Sequence, residues 1–344
     1  MIIDAHLDLA FNAVGGGADL RLPLPALRQS PYGQQASARH ATPTVSLPAL
    51  RAADVRVVFG TIFVLKATPA FDVDGPVYTT PAEANTQGWA QMRYYHDLAQ
   101  QGEIVLVTDR ATLERALAGG APQPGLVPLM EGADPIRNPD ELGVWHEAGL
   151  RIIGLAWSAT RYSGGTGEPG PLTPEGRALV RAMREHHFAL DVSHLSDESF
   201  WDALELHTGP VLASHANCRA FVPTDRQLSD DMIRTLAERG GVMGVIPYTK
   251  FLTHEWTQDV SRAPIDALVR HIEHICDLVG NTQHVAIGSD FDGGFGAETL
   301  PIGMDAIGDL HKVGDALKMR GWSDQDIADV MGGNWARWLH GVLR

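Results

Sequence analysis

The sequence is poor in cysteine and in basic residues, and both shortages exclude classes of protein. Its 344 residues include two cysteines, Cys218 and Cys276, and no CxxC pair. A disulfide framework is therefore excluded, and two distant thiols are typical of reduced, structural cysteines in a cytosolic protein. Lys and Arg total 27 against 42 Asp and Glu, a formal net charge of −15. Such a chain lacks the basic surface that a nucleic acid or an anionic membrane requires of its partner.

Long apolar runs and phosphate-binding loops are missing as well. No run reaches the roughly 18 apolar residues of a transmembrane helix, and no basic n-region with an apolar h-region marks a secretory signal. The first predicted strand begins at residue 2. We therefore expect a cytoplasmic protein without a presequence. No GxGxxG or GxxxxGK[ST] follows an apolar run, which argues against an open, nucleotide-binding sheet.

The sequence does contain short apolar runs that alternate with amphipathic stretches. One run opens the chain, and the others cover residues 55–65, 125–133, 150–159, 187–195, 209–216, 240–248 and 283–294. Strands that alternate with helices form parallel βαβ units, and eight strands favour a closed barrel. We predict an α/β fold, a (β/α)8 TIM barrel, as one domain over residues 1–344.

Helix caps and apolar spacing locate the helices between these runs. The sequence predicts helices over residues 173–187, 196–207, 229–240, 264–280, 305–321 and 323–343. Residues 12–50 are rich in Gly, Pro, Ala and Gln and show no clear period. We interpret them and residues 66–88 as loops inserted after the first two strands.

The opening stretch "MIIDAHLDLAF" places polar residues inside an apolar run. Strict strand alternation predicts that Asp4, His6 and Asp8 share one face with Ile2. An unpaired buried charge is costly, so this face either meets water at a sheet edge or carries a His-x-Asp metal pair. The pair alone is weak evidence and needs partners elsewhere.

Four later runs each end in a residue that can bind a metal: Glu131 in "PLMEGAD", His194 in "LDVSHLSD", His215 in "VLASHAN" and Asp290 in "GSDFDGG". Alternation along each strand predicts that all four point into the barrel, at the strand ends where barrel enzymes carry their sites. Singly, each could be a structural histidine or a turn aspartate. Together with His6 and Asp8 they make six candidate ligands and indicate two divalent ions, because one zinc usually takes three protein ligands.

Imidazole and carboxylate ligands suit Zn²⁺, with Mn²⁺, Co²⁺ and Fe²⁺ as alternatives. A bridging carboxylate would account for six ligands on two ions. The remaining helical histidines show no partner pattern, and we predict that most lie on the surface: His186, His187, His207, His271, His274, His311 and His340.

These motifs resemble the signatures of the renal (membrane) dipeptidase family, within the amidohydrolase-type barrels. The segments "DAHLD", "MEGAD", "DVSHLSD", "ASHANCRAF", "DRQLSDD" and "GSDFDGG" occur in the family's order, and "GNWARWLHGV" fits its closing helix. The resemblance implies a binuclear zinc hydrolase, usually a homodimer. Its substrates would be dipeptides, often with a D-residue at the C-terminal position.

The resemblance also implies a role for each matching residue. His6, Asp8 and Asp290 would hold the first zinc, His194 and His215 the second, and Glu131 would bridge them. A metal-bridging hydroxide would attack the peptide carbonyl, and Asp290 would carry the proton to the leaving amine. Arg226 would bind the substrate carboxylate, which a guanidinium pairs with at two points. Asp4 would either orient a ligand or form a structural hydrogen bond.

One position departs from the family pattern. Trp157, in "GLAWSATRYSGG", stands where the family has a histidine that holds the scissile carbonyl. Arg161 and Tyr162 follow closely and could supply a polarising group, or Trp157 could simply form a pocket wall. The leading prediction is a zinc dipeptidase. The alternatives are a binuclear hydrolase of another small amide or lactone, and a metal-binding barrel without catalysis.

Overall fold

Eight parallel strands form the predicted barrel in the computed structural model, which describes residues 1–67, 76–118, 123–254 and 262–344. The barrel strands run in the order β7-β8-β1-β2-β3-β4-β5-β6, and a ninth, two-residue strand at Val105–Leu106 pairs with the start of β3. A parallel bridge between Ala213 and Met243 brings the two ends of this order together. The strands are β1 (Ile2–Leu7), β2 (Val55–Phe63), β3 (Gly125–Glu131), β4 (Ile152–Gly154), β5 (Ala189–Asp191), β6 (Val211–Leu212), β7 (Met243–Val245) and β8 (Val285–Ile287).

Helices follow most of the strands, and several begin at the predicted caps. The hydroxyl groups of Thr173, Ser196 and Ser229 each accept a hydrogen bond from the backbone three residues later, which satisfies an otherwise unpaired N–H. The helices are α1 (Leu24–Gln29), α2 (Pro31–Ser37), α3 (Leu47–Ala52), α4 (Pro81–Gln100), α5 (Arg110–Leu117), α6 (Leu142–Glu147), α7 (Pro174–Glu185), α8 (Asp197–Leu206), α9 (Asp230–Glu238), α10 (Thr249–Leu252), α11 (Ile265–Val279), α12 (His311–Met319), α13 (Asp324–Ala328) and α14 (Asn334–Val342).

The two predicted insertions follow the expected strands but are not plain loops. The short helices α1 and α2 lie in residues 12–50, α3 begins there at Leu47, and α4 begins at Pro81 inside the predicted second loop. Residues 68–75 of that loop lie outside the described residues. Helices α1 to α3 are six or seven residues long and lack a readable apolar period, so composition alone indicated a loop over residues 12–50.

Most of the buried apolar residues of the strands belong to one of two clusters, one inside the barrel and one between the strands and the helices. One buried cluster takes a residue from each strand or its immediate flank: Ile3, Val57, Val127, Ile152, Ala189, Leu212, Val242 and Ala286. Residues from all eight strands can touch only inside the barrel. Alternate strand residues, such as Val58, Leu126 and Leu190, belong to a second cluster beneath the helices.

The last helix, α14, packs against the inside of the barrel at the N-terminal ends of the strands. Trp335 and Trp338 belong to the inner cluster. Their indole N–H groups donate to the carbonyls of Ile287 at 2.8 Å and Val211 at 3.1 Å. The Trp335 ring also meets Phe59 edge-on, with 5.2 Å between centroids. This packing leaves the C-terminal ends of the strands for a functional site.

A bulge in β1 changes which residues point inward. Asp4 pairs with Val58 and Leu7 with Gly60, so β1 advances three residues while β2 advances two. An extra residue of this kind reverses the alternation beyond it. Asp4 therefore lies opposite a residue of the outer cluster, and the prediction that it shares a face with His6 is wrong.

Asp4 instead joins β1 to the end of β8. Its carboxylate accepts from the backbone N–H of Ser289 at 2.7 Å and from the Ser289 hydroxyl at 2.5 Å. Both residues are fully buried. Of the two roles left open for Asp4, these contacts favour the structural hydrogen bond.

Two of the histidines predicted at the surface, His207 and His271, are fully buried. The Nδ1 of His271 accepts from the backbone N–H of Cys218 at 3.0 Å, and its Nε2 faces the Leu252 carbonyl at 3.4 Å. Only a neutral ring protonated at Nε2 satisfies both partners. Burial lowers the pKa of both histidines to about 4.

Acid should therefore destabilise the fold through His271. Its pKa in the folded chain lies below the ordinary value, so it contributes stability above about pH 6.5 that is lost as pH falls towards about 4. The full loss for one such histidine is roughly 3 kcal/mol. We expect His271→Gln to flatten the decline of the unfolding free energy between about pH 6.5 and 4.5 in urea titrations. His187→Gln, at an exposed position, is the control, and equal slopes in all three proteins would contradict the assignment.

Candidate active site

The structure brings the six predicted ligands together at the C-terminal ends of the strands. All six are buried: His6 is 0%, His215 1%, Glu131 5%, Asp8 7%, and His194 and Asp290 are each 8% exposed. Two triplets each keep their ligand atoms within 4.8 Å of one another, namely His6, Glu131 and His215, and His6, Asp8 and Asp290.

Glu131 lies between two groups of ligands, with one oxygen directed to each. Its Oε2 is 3.4 Å from the Nε2 of His6. Its Oε1 is 3.2 Å from the Nε2 of His194 and 3.3 Å from that of His215. On the His6 side, Asp8 and Asp290 each place a carboxylate oxygen 3.9 Å from the same nitrogen. This is the arrangement expected of a carboxylate shared by two ions.

Local backbone geometry, rather than strand alternation, aims two of these side chains. His194 has φ 64° and Asp290 φ 57°, in the left-handed region that non-glycine residues rarely adopt. Such conformations cost of order 1–3 kcal/mol each and persist where the surroundings enforce them.

The alternation argument was right for Glu131 and wrong for the two later histidines. Val127, on the Glu131 face, belongs to the inner cluster. Val192 and Ala213 lie two residues before His194 and His215, so strict alternation would give each pair a common face, yet both apolar residues belong to the outer cluster. Both histidines come after the last strand residue, where the chain turns and alternation no longer applies.

The three carboxylates make the His6 side strongly attractive to a cation. Burial alone would lower the pKa of His6, but Glu131, Asp290 and Asp8 outweigh it and raise the pKa to about 10. Burial raises the pKa of Asp8 to about 6, and the neighbouring charge of Glu131 adds to that rise. Burial likewise raises the pKa of Asp290 well above its ordinary value. Excess negative charge of this kind is what a bound cation relieves.

The other two histidines are held neutral, which leaves a lone pair available. Burial, followed by the charge of Arg226, lowers the pKa of His194 to about 4. Burial and the charge of His6 lower the pKa of His215 well below its usual range. Their Nε2 atoms are 3.1 Å apart. Neutral imidazole nitrogens are the form that binds a metal.

These residues fit divalent metal ions. Neighbouring ligand atoms around a tetrahedral zinc, each about 2.0–2.1 Å from the ion, are roughly 3.3 Å apart. Glu131 and its three imidazole partners match this spacing, at 3.2–3.4 Å. Among the described residues, the buried Nε2 of His6 has no hydrogen-bond partner. The donor set of imidazoles and carboxylates suits zinc and related ions.

Sequence reasoning missed the residues that form hydrogen bonds to four of the candidate ligands. Thr166 Oγ1 is 2.9 Å from the Nδ1 of His194, and the Thr61 hydroxyl donates to Asp8. Ser214 Oγ contacts the Nδ1 atoms of His6 and His215 at 3.1 and 2.8 Å. Such partners orient metal ligands. Only Ser214 had a usable signal, its place directly before His215, because the loop around Thr166 has no periodic pattern.

Arg226 is buried beside these ligands. It is 4% exposed, its Nη2 donates to the backbone carbonyl of His215 at 2.9 Å, and its Cζ lies 5.3 Å from the centre of the Phe251 ring. In the part of the chain that the structure describes, its buried Nε and Nη1 have no hydrogen-bond partner. A buried cation with unused donors is costly, so these donors are suited to an anionic ligand.

Sequence comparison identifies the family. A sequence profile described as "Membrane dipeptidase (Peptidase family M19)" matches residues 1–342. The chain belongs to this family. The match confirms the resemblance and the prediction of a hydrolase acting on peptide bonds.

Solved structures of the membrane dipeptidase family share this barrel. A metallo peptidase from Rhodobacter sphaeroides, solved with a phosphinate mimic of the dipeptide L-Ala-D-Ala, is 25% identical with a TM-score of 0.81 over 99% of each chain. Dipeptidase AC, also a metallo peptidase, gives 25% identity and a TM-score of 0.81 over 99% of this chain and 98% of its own. Dipeptidase tcpJ of Claviceps purpurea (strain 20.1) is 30% identical over 209 residues, which are 58% of this chain and 47% of that protein. The match thus spans about half the length of that curated relative.

Trp157 lies beside the predicted metal ligands. It is half-buried, and its ring centroid is 6.2 Å from that of His194. It meets Phe63 edge-on at 5.6 Å, and Phe63 in turn meets Phe11 at 5.1 Å. The three aromatic rings form a wall next to the His194 side of the site.

Arg161 is bound to the loop that follows β3. Its Nη2 donates to the carbonyls of Asp134, at 3.0 Å, and Ile136. Its Nε is 3.6 Å from Asp134 Oδ1, and its Cζ lies 4.8 Å from the centre of the Tyr162 ring. The Tyr162 hydroxyl donates to the Ile136 carbonyl as well. These contacts fasten the loop after β3, and they do not support the predicted role of Arg161 as a substitute polarising group.

Proposed function

We propose that this chain is a zinc-dependent dipeptidase with a binuclear centre. His6, Asp8 and Asp290 would hold the first ion, His194 and His215 would hold the second, and Glu131 would be shared. The observation that carries the proposal is Glu131 itself, whose two oxygens face separate ligand groups at 3.2–3.4 Å. Other divalent transition metals would suit the same donors.

The chain's own residues have distinct tasks in this reaction. Bound ions would supply a water of lowered pKa and an electrophile for the peptide carbonyl. Asp290, whose carboxylate oxygen lies 3.9 Å from the Nε2 of His6, would take the proton of that water and return it to the leaving amine. Glu131 keeps the two ligand groups at a fixed separation. Their burial limits competing water in the site.

Arg226 explains why the substrate would be a dipeptide. A guanidinium pairs with a carboxylate at two points. Arg226 donates to the carbonyl of His215, itself a proposed ligand, so a carboxylate bound here lies close to the ligand cluster. In a dipeptide only the Cα of the second residue separates the scissile amide from the terminal carboxylate, and one residue spans at most about 3.3–3.6 Å. Peptides extended at the C terminus would place no carboxylate at this point.

The proposal extends to properties that rest on the family resemblance and the composition. It includes a homodimer and a cytoplasmic location. In the described ranges, none of the helices is long and apolar enough to cross a membrane.

Trp157 would restrict the substrates to small ones on the His194 side. An indole is larger than an imidazole, has one donor and cannot become cationic. We expect Trp157→His to increase kcat/KM for dipeptides with a bulky first residue at least about 10-fold relative to Ala-Ala, the scale of apolar pocket discrimination. Competition assays with substrate pairs would measure this ratio.

A matched control for this change is Trp201→His, at an indole 44% exposed on α8. It should leave the ratio unchanged, and zinc content should be the same in all three proteins. An unchanged ratio in Trp157→His would show that Trp157 does not form a limiting wall.

Turnover of a small panel by the zinc-supplemented chain tests the function. The panel holds L,L- and L,D-dipeptides, the matching dipeptide amides and small lactones. We expect hydrolysis of the dipeptides. Turnover confined to amides or lactones would favour the alternative hydrolase instead, as the position of Trp157 allows.

A further inference from the structure

One hydroxyl group contacts ligands of both proposed metal positions. Ser214 is fully buried. Its Oγ lies 3.1 Å from the Nδ1 of His6 and 2.8 Å from the Nδ1 of His215. His6 belongs to the first ligand group and His215 to the second. The two rings are stacked, with centroids 3.5 Å apart and planes at 28°, so a single atom can reach the same edge of both.

The hydrogen-bonding capacity of this hydroxyl matches its surroundings. Each ring directs its Nε2 at Glu131, at 3.4 and 3.3 Å, so in the metal-binding form its proton is on Nδ1. A serine oxygen accepts two hydrogen bonds and donates one. The two Nδ1–H groups fill both acceptor positions, and Ser193 Oγ, 3.3 Å away, can take the hydroxyl proton.

The backbone holds Ser214 in this position. Asp191 Oδ1 accepts from the backbone N–H of Ser214 at 2.9 Å and from that of Ser193 at 3.0 Å. The Ser193 hydroxyl in turn accepts from the backbone N–H of His215 at 3.1 Å. Asp191 and Ser193 are 2% and 3% exposed. The serine is therefore anchored independently of the two rings that it contacts.

We infer that Ser214 is a positioning residue that fixes the ring orientation and tautomer of His6 and His215 together, and thereby sets the affinity of both metal positions. This inference rests on the binuclear centre proposed above. Partners of this kind typically change metal affinity 10–100-fold when removed. Because one oxygen serves a ligand on each side, its loss should weaken both ions rather than one.

Ser214→Ala tests this, with Ser289→Ala as the matched control. Ser289 is also fully buried and also directly precedes a proposed ligand, but its hydroxyl donates to Asp4 rather than accepting from a ring. Competition with a chromophoric chelator measures the two zinc affinities of each protein. We expect Ser214→Ala to lose about 10–100-fold at both positions, Ser289→Ala to keep both, and Ser214→Thr, which restores the oxygen, to recover both.

A spectroscopic signature separates positioning from general destabilisation. Proton–nitrogen spectra of the zinc-loaded wild type should show hydrogen-bonded Nδ1–H groups for His6 and His215, and both should shift in Ser214→Ala only. The wild-type spectrum tests the inference even if a variant fails to fold. Absence of these signals, loss of only one ion in Ser214→Ala, or equal losses in Ser289→Ala would overturn the role of Ser214. A wild type that binds fewer than two ions would overturn the binuclear centre, and this inference with it.

Discussion

Glu131→Gln should remove tight binding of both metal ions at once. The amide keeps the shape of the side chain but loses its charge, and one of its two ends becomes an NH₂ group that cannot bind a metal. Because each Glu131 oxygen faces a different ligand group, one group loses its oxygen ligand and the other keeps only a neutral amide oxygen. Equilibrium dialysis at fixed free zinc, followed by elemental analysis, should give about two ions per chain for the wild type and well under one for the variant.

Two further variants make this result specific. His215→Ala removes a ligand from one side only, so it should retain about one ion. Glu141→Gln makes the same change at a carboxylate that pairs with Arg137 outside the site, and it should bind as the wild type does. Retention of one ion at wild-type affinity in Glu131→Gln would rule out a shared carboxylate.

Arg226→Ala should raise KM on dipeptides by about 10–150-fold. This corresponds to the roughly 1.5–3 kcal/mol of a charge-assisted hydrogen bond. The expected cause is the loss of the buried guanidinium donors that are otherwise without partners among the described residues. Steady-state kinetics on a dipeptide and on its C-terminal amide would measure the effect, since the amide lacks the carboxylate.

The amide should be a poor substrate for the wild type, and Arg226→Ala should change its KM little. Arg226→Lys should fall between wild type and Arg226→Ala, because an ammonium keeps the charge without the two-point geometry. Arg219→Ala is the control: it removes a nearby arginine that pairs with Asp197. Equal losses on acid and amide substrates would exclude a carboxylate-binding role.

The barrel could be predicted from the sequence because its strands are short apolar runs separated by capped helices. Thr173, Ser196 and Ser229 marked helix starts correctly. The site could be located for the same reason, since polar residues at the ends of buried strands converge at one mouth. The six residues that converge there could therefore be named from the sequence alone.

The orientation of individual side chains was harder to predict from the sequence. The bulge between Asp4 and Leu7 leaves no mark in the sequence, so alternation placed Asp4 on the wrong face. His194 and His215 follow their strands, and His194 is in a left-handed conformation that a propensity argument would not choose. Local backbone irregularity at a functional site is where pattern reasoning is expected to fail.

Contacts across the fold were not accessible either. His271 was grouped with the surface histidines because it lies on a predicted helix and shows no partner pattern, yet it is buried and accepts from the backbone N–H of the distant Cys218. Arg161 looked like a candidate for the site because it follows Trp157 closely, but Asp134 and Ile136 bind it instead. Both outcomes depend on segments far apart in sequence, which no local pattern reports.

The most direct test of the binuclear dipeptidase is a zinc titration of the chelator-treated chain, followed by its initial rate on L-Ala-D-Ala. The account predicts that the rate reaches its plateau as zinc reaches about two ions per chain. Full activity at one ion, or no hydrolysis of the dipeptide with two ions bound, would contradict it.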